Sequence, residues 1–178
     1  MKSLSLKIIT GIAVCMLFMN VQCPDNNFEM YTQYLPVFMT REELEKSIAF
    51  IDTVDLKNPA KIYVKGNYLF ISEAYKGVHI IDNTDERNPK TKGYIRVAGC
   101  MDMAVKGNTL YVDNATDLLA FDISTPESPV LANRLKDVFP EPVPPDFGLI
   151  PTEFAKENRP AGLILVEWRK KDYTQYTK

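Results

Sequence analysis

The chain has 178 residues, enough for one ordinary domain. Its formal net charge is −2, so it lacks the basic surface of a protein that binds nucleic acid, and we expect no nucleic-acid partner. Hydrophobic residues make up 46% and charged residues 25%, which is typical of a folded globular domain.

Residues 1–22 predict a secretory signal peptide. Lys2 and Lys7 form a positive N-terminal region, and the apolar run IITGIAVCMLFMNV follows. Fourteen residues are too few to span a bilayer with margin, although a retained membrane anchor is the alternative.

Cys23 follows this run in the position of the acylated cysteine in bacterial lipoprotein signals, which the segment resembles. Acyl chains on that residue hold a soluble domain at a bilayer. We therefore predict lipidation at Cys23, secretion across the inner membrane, and a lipid anchor at the outer membrane or cell surface. Asn20 and Gln22 stand where such signals favour Leu and a small residue, so ordinary cleavage stays open.

Cysteine usage excludes a disulfide framework. Cys15 leaves with the signal peptide and Cys23 would be acylated, which leaves Cys100 alone. No His or Lys beside Cys100 would activate the thiol, so we expect a small buried hydrophobic residue there.

Residues 23–39 predict a tether followed by a short extended segment, in which Pro36 favours an edge position. The domain at 40–178 then opens with a predicted N-terminal helix over 41–51. Thr40 and Glu43 have the spacing of a capping box. The residues Leu44, Ile48 and Ile51 share one helical face, which we expect to pack against a β body.

The next forty residues, about 58–97, predict four strands. KIYVK and YLFIS flank Gly66-Asn67, where a glycine at the first central position suits a type II′ hairpin turn. GVHIID is the third strand, the loop NTDERNP follows, and KTKGYIRV is the fourth strand.

Residues of about 101–136 repeat this order, with DMAVK and TLYVD around Gly107-Asn108, then LLAFD, ISTPESP and VLANRL. Five residues of the first hairpin recur 41 positions later: Val64, Lys65, Gly66, Asn67 and Leu69 match Val105, Lys106, Gly107, Asn108 and Leu110. Asp82 and Asp122 end matching strands, and we expect each to fix the following loop by side-chain-to-backbone hydrogen bonds.

A repeat of this length with four strands indicates propeller blades. A blade is apolar on both faces, so a second blade must cover the first. The predicted fold is therefore mainly β, with two four-stranded propeller-like blades forming an incomplete propeller, one N-terminal helix and a signal segment.

These residues also resemble a known family. GVHIID and LLAFD, each preceded by a VKGN hairpin and followed by an Asn-Pro or Ser-Pro loop, look like the LVIVD repeat, and the resemblance covers roughly residues 23–168. That repeat occurs in secreted bacterial lipoproteins and is regarded as propeller-like. The resemblance implies secretion and fold, and implies no activity.

The chain departs from a complete propeller, which needs about four to eight blades. Residues 137–161 are proline-rich, and GLILVEW at 162–168 resembles a third GVHIID strand, with Glu167 at the Asp position, but lacks a hairpin. Residues 137–178 are thus an irregular exit with a partial third unit. Either two blades are stable alone, or further copies cover the exposed blade faces in a homo-oligomer, or the chain is a shortened form of a longer protein.

We predict no catalytic, cofactor-binding or metal-binding residue, because no nucleotide, metalloprotease or nucleophile motif occurs. His79 is the only histidine and has no second ligand residue beside it. The acidic loops at 82–86 and 113–117 lack calcium-loop spacing. Trp168 either caps the last blade or, with Tyr173 and Tyr176, forms a surface on which sugars stack.

The function predicted from the sequence is that of a cell-envelope lipoprotein, a non-enzymatic binding or scaffold module for a protein or glycan ligand. Two alternatives remain. One is an envelope glycan hydrolase that uses two carboxylates, for which the 23 acidic residues give no specific signal. The other is a truncated product of a longer propeller protein.

Overall fold

The structure, a computed structural model, describes residues 30–172. The predicted signal peptide, Cys23, Tyr173 and Tyr176 lie outside the described residues. The described elements, in chain order, are β1 (Tyr34–Thr40), α1 (Arg41–Lys46), β2 (Ala49–Ile51), β3 (Pro59–Lys65), β4 (Tyr68–Glu73), β5 (Gly77–Asp82), β6 (Lys90–Arg96), β7 (Met103–Lys106), β8 (Thr109–Asn114), β9 (Asp117–Asp122), β10 (Val130–Leu135), a 3-10 turn (Thr152–Phe154) and β11 (Leu163–Lys170). The predicted mainly-β class is confirmed.

The two repeats form two antiparallel sheets. Strands β3 to β6 make the first blade and β7 to β10 the second, each strand pairing with the next along the chain. The turns between their first two strands are equivalent, because Lys65 pairs with Tyr68 and Lys106 with Thr109. Gly66 and Gly107 have φ angles of 55° and 59°, which a residue with a side chain adopts only at a cost.

One apolar cluster lies between the two blades and holds them together. Its members come from both sheets and from the linker between them: Phe70, Val78, Ile80, Ile95, Val97, Cys100, Met103, Val105, Leu110, Val112, Leu119, Phe121 and Ile123. Each is at most 9% exposed. The blades therefore stack face to face as the repeat predicted, and neither has an apolar core of its own.

The helix predicted over 41–51 is wrong in its C-terminal half. The capping box is present: the Glu43 amide donates to Thr40 Oγ1 at 3.2 Å, and the Thr40 amide donates to Glu43 Oε2 at 2.7 Å. The helix ends at Lys46, and the Ser47 hydroxyl donates to the Leu44 carbonyl. Ala49–Ile51 then adds a fifth strand to the first blade beside β6, because Phe50 and Ile51 suit a sheet edge better than a helix.

A third, two-stranded sheet joins the two ends of the described chain. β11 contains the GLILVEW segment except for Gly162, and it pairs with β1 where a complete repeat would have its own hairpin. Its apolar residues Ile164 and Val166 form a second buried cluster with Leu44 of α1 and Ala115 of the second blade. The third sheet therefore covers the end of the blades at which the β8–β9 turn lies.

We predict that Leu110→Ala destabilises both blades together. Leu110 is fully buried between them, so the change should lower the free energy of unfolding by about 2–5 kcal/mol. Chemical denaturation followed by circular dichroism should still give one transition. Val130→Ala is the control, since Val130 is 62% exposed on β10 and should cost less than about 0.5 kcal/mol. Equal effects of the two changes, or two separate transitions, would contradict a shared core.

Candidate functional site

The repeated acidic residues hold loops. Asp82 Oδ1 accepts hydrogen bonds from the Thr84 amide at 2.9 Å and the Thr84 hydroxyl at 2.6 Å. Asp122 Oδ1 accepts the same pair from Ser124, at 2.8 and 2.7 Å. These donors hold the pKa of both carboxyls below its usual range. Each carboxylate is thus engaged in an Asx-type turn.

The repeated asparagines of the two hairpin turns, Asn67 and Asn108, also hold these loops. The Asn67 carbonyl accepts from the Asn83 amide at 2.7 Å, and the Asn108 carbonyl accepts from the Ile123 amide at 2.8 Å. Each hairpin turn is thereby tied to the loop that follows the third strand of the same blade. The structure places all the predicted turn residues in this scaffold.

His79 lies buried in β5 beside an acidic partner. Its Nε2 is 3.0 Å from Glu73 Oε2, and its ring centroid is 4.5 Å from that of Tyr94. Both members of the pair are enclosed, with side chains 1% and 9% exposed. The sequence analysis missed Glu73, although the β4–β5 register, which pairs Glu73 with Gly77, brings it next to His79. The pair is sealed from solvent and so offers no binding surface.

Two further candidates are also buried. Cys100 lies in the core, and burial raises the pKa of its thiol well above the usual range. Trp168 is 3% exposed, and its Nε1 donates to the Pro142 carbonyl at 2.8 Å. The Trp168 indole therefore packs inside the fold and offers no face on which a sugar could stack.

A groove of about 600 Å³ lies between the outer face of the second blade and the proline-rich segment. Hereafter "the groove", it is lined by Gly99, Met101, Asp102, Met103, Ala104, Tyr111, Asp113, Ala115, Leu118, Phe139, Pro140, Glu141, Pro142 and Val143. Sequence reasoning missed it, because residues 139–143 have no periodicity that would predict their path. The repeat gives one signal for this surface. Ala104, Tyr111 and Leu118 correspond to Tyr63, Phe70 and Val78, which another blade covers. The same face of the second blade is therefore a surface that a further blade would cover.

Specific contacts hold the proline-rich wall in place. The amides of Val138 and Phe139 both donate to the Thr116 carbonyl, at 2.9 and 3.0 Å. Trp168 binds the Pro142 carbonyl, and Arg159 forms an ion pair with Glu141. The groove is therefore a built feature of the fold, with one wall from the second blade and one from the exit segment.

The groove is acidic as well as apolar. Asp102, Asp113 and Glu141 are its charged residues, and no basic residue lines it. Asp102 forms an ion pair with Lys61 at 2.7 Å. Asp113 Oδ1 accepts the amides of Met101 and Asp102, both at 2.8 Å, and thus shapes the rim of the groove. Burial raises the pKa of Asp113, an effect that these amide donors reduce but do not cancel.

A second open surface lies on the first blade. Ile62 and Val64, on β3, are 59% and 62% exposed. Their repeat equivalents Met103 and Val105 are 2% and 9% exposed, because the first blade covers them. We call Ile62 and Val64 the free strip of the first blade.

Within residues 30–172, no group of three or more His, Cys, Asp or Glu residues is placed to hold a metal ion. No helix in the same range has the length and apolar character needed to cross a membrane.

Comparison with known families gives one match. Residues 58–95 and 99–137 each match the LVIVD repeat, and these two ranges coincide with the two blades. The resemblance seen in the sequence is confirmed. The comparisons with curated proteins and with solved structures gave no match.

We predict that Asp113→Asn removes part of the pH dependence of stability. A carboxyl whose folded pKa is raised binds more protons in the folded than in the unfolded state, so its contribution to stability falls as pH rises through the window above its ordinary value. The asparagine keeps an oxygen to accept the two amides and does not ionise. Relative to the wild type, the variant should therefore gain stability between about pH 4 and pH 7. Melting curves across that range measure the difference. A difference that is constant with pH would contradict the raised pKa.

Proposed function

We propose that this member of the LVIVD-repeat family is a non-enzymatic binding module of the cell envelope, held at a membrane through Cys23, that takes a protein segment into the groove. The groove carries the proposal, because its walls are mostly apolar and its charged lining residues are all acidic. The ligand that fits is an extended, apolar protein segment that also carries Lys or Arg.

The chemistry of the walls favours protein over glycan. Most of the lining is apolar, with Met101, Tyr111, Leu118, Phe139 and Val143 among its larger side chains. A glycan needs many hydrogen-bonding groups to replace the water around its hydroxyls, whereas apolar side chains of a protein are favoured by burial. The carboxylates at the rim supply the few polar contacts that orient a ligand.

The contacts of these carboxylates support binding over hydrolysis. A glycan hydrolase needs two carboxyl groups on either side of the bond, one as acid and one as base or nucleophile. Here Asp102 pairs with Lys61, Asp113 accepts two backbone amides, and Glu141 pairs with Arg159. Each group has a structural partner that fixes the walls of the groove.

An exposed apolar patch near residue 30, the described residue nearest to Cys23, supports the proposal that the protein is held at a membrane. Tyr31 bridges Leu149, and around them Met30, Tyr31, Phe147 and Leu149 are 70%, 59%, 83% and 43% exposed. Exposed apolar and aromatic side chains favour the interface of a bilayer. From Cys23 to Met30 the chain reaches at most about 25 Å, so an acylated Cys23 would keep this patch close to the membrane.

Lipidation is tested by metabolic labelling with palmitate. The wild type should incorporate label and fractionate with membranes, whereas Cys23→Ala should lose both because the acylated thiol is gone. Cys100→Ala is the control and should label as the wild type does, since that thiol is buried. Equal labelling of wild type and Cys23→Ala would end the proposal of a lipid anchor.

Binding in the groove is tested on purified Cys23→Ala protein by fluorescence anisotropy, with labelled twelve-residue peptides that vary apolar and basic content. Peptides with both should bind best, and Tyr111→Ala or Phe139→Ala should weaken binding by about tenfold, because each removes an aromatic wall. Phe147→Ala is the control, since Phe147 is 83% exposed and does not line the groove.

The same preparation is incubated with oligosaccharides and the products are analysed by mass spectrometry. Cleavage that is lost in Asp113→Asn would favour the hydrolase instead and contradict a non-enzymatic role. If Tyr111→Ala and Phe139→Ala bind the peptides with the same affinity as the unchanged protein, the groove is not the binding site.

A further inference from the structure

The contact between the two blades has one unmatched half at each end of the stack. Within the chain, one face of the first blade, with Phe70 and Val78, packs against the face of the second blade that carries Met103, Val105 and Leu110. In residues 30–172, no blade precedes the first and none follows the second. The outer face of each blade therefore lacks the blade partner that its inner face has.

At the first blade, the unmatched half is the free strip. Ile62 and Val64 correspond to Met103 and Val105, and Leu69, which is half-buried, corresponds to the fully buried Leu110. The side chains that close the core in the second blade are thus repeated, in the same register, on an exposed strand of the first.

At the second blade, the unmatched half is the wall of the groove. Ala104, which is exposed, and Tyr111, which is half-buried, correspond to Tyr63 and Phe70 on the packing face of the first blade. In a longer repeat array, a third blade would cover Ala104 and Tyr111. Here residues 139–143 cover only part of this face of the second blade.

The two residues of a polar contact between the blades recur in the same way. Lys65 Nζ donates to Asn108 Oδ1 at 2.7 Å, which joins the first blade to the turn of the second. The equivalent donor of the second blade is Lys106 and the equivalent acceptor of the first is Asn67. Both lie exposed on hairpins of matching geometry.

We propose that the groove side of one copy binds the free strip of a second copy, and so repeats between chains the contact that joins the blades within one. This inference rests on the proposed function, in which the groove side binds a protein surface, and it names that protein. Because one face of each kind meets the other, copies join head to tail, and each added copy leaves the same pair of faces open until a ring closes. Ile71 of β4 and His79 of β5 are already buried, so the contact on the first blade is confined to the free strip and to Leu69 beside it.

The test measures the mass of the Cys23→Ala protein by analytical ultracentrifugation over a hundredfold range of concentration. The Cys23→Ala protein, in which both outer faces are unchanged, should form oligomers. These should be either one closed species or a series whose average mass rises with protein concentration. Val64→Glu places a charge in the free strip and Ala104→Glu places one at the groove, and each should yield monomers. Val130→Glu is the control, since Val130 is 62% exposed on β10, and should leave the mass unchanged.

A mixture of the two variants identifies the head-to-tail geometry. The Val64→Glu copy keeps an intact groove side and the Ala104→Glu copy keeps an intact free strip, so the mixture should form a one-to-one dimer and stop there. A contact between two like faces would give no such recovery. Monomeric protein at every concentration, an equal effect of Val130→Glu, or a mixture that stays monomeric would each overturn the proposal.

The folding of the variants and their binding of peptide in the groove are measured on the same samples. Val64 and Ala104 are exposed, so the melting temperatures of both variants should match that of the unchanged protein. The peptide titration is repeated on Val64→Glu, whose groove is intact. Peptide binding by a protein that never associates would preserve the proposed function and refute self-association alone.

Discussion

The stacking of two apolar sheet faces is the interaction on which the rest of this structure depends. Each blade is a single layer, and a single sheet with two apolar faces cannot exclude water by itself. The thirteen residues of the shared cluster come from both blades and from the linker between them, which supplies Cys100. The repeated Gly-Asn turns and Asx-type loops lie outside this layer, where they set strand length and register without entering the core.

The ends of the repeat array explain why a groove forms. A longer array would cover the outer face of the second blade with the next blade. Here the chain leaves that face after β10, passes over it as the proline-rich segment 139–143, and returns to pair with the N-terminal strand through β11. Prolines cannot add to the sheet as a regular strand, because they lack the amide donor. The face therefore stays partly open, and the groove lies where the second repeat ends.

The sequence predicts those features of the fold and of the groove that depend on short local patterns of residues. The hairpins at Gly66 and Gly107 and the loops after Asp82 and Asp122 are local patterns that occur twice, and sequence alone placed both blades. The helix prediction failed after Lys46, where pairing with β6 outweighed a helical pattern of apolar residues. The groove depends on the path of residues 139–143, which is set by contacts with Thr116 and Trp168 that no local pattern encodes.

A buried polar network positions that path. Asp117 is fully enclosed, and Arg41 of α1 and Arg134 of β10 both donate to its Oδ2. Burial alone would raise the pKa of Asp117, but these guanidinium groups and the Asp137 amide hold it below its usual value. A buried network of this kind adds little net stability compared with apolar packing, but its hydrogen bonds bring α1, β10 and the backbone at Asp137 together at one carboxylate. Because Asp137 stands two residues before Phe139, the network that docks the N-terminal helix on the second blade also fixes where the wall of the groove begins.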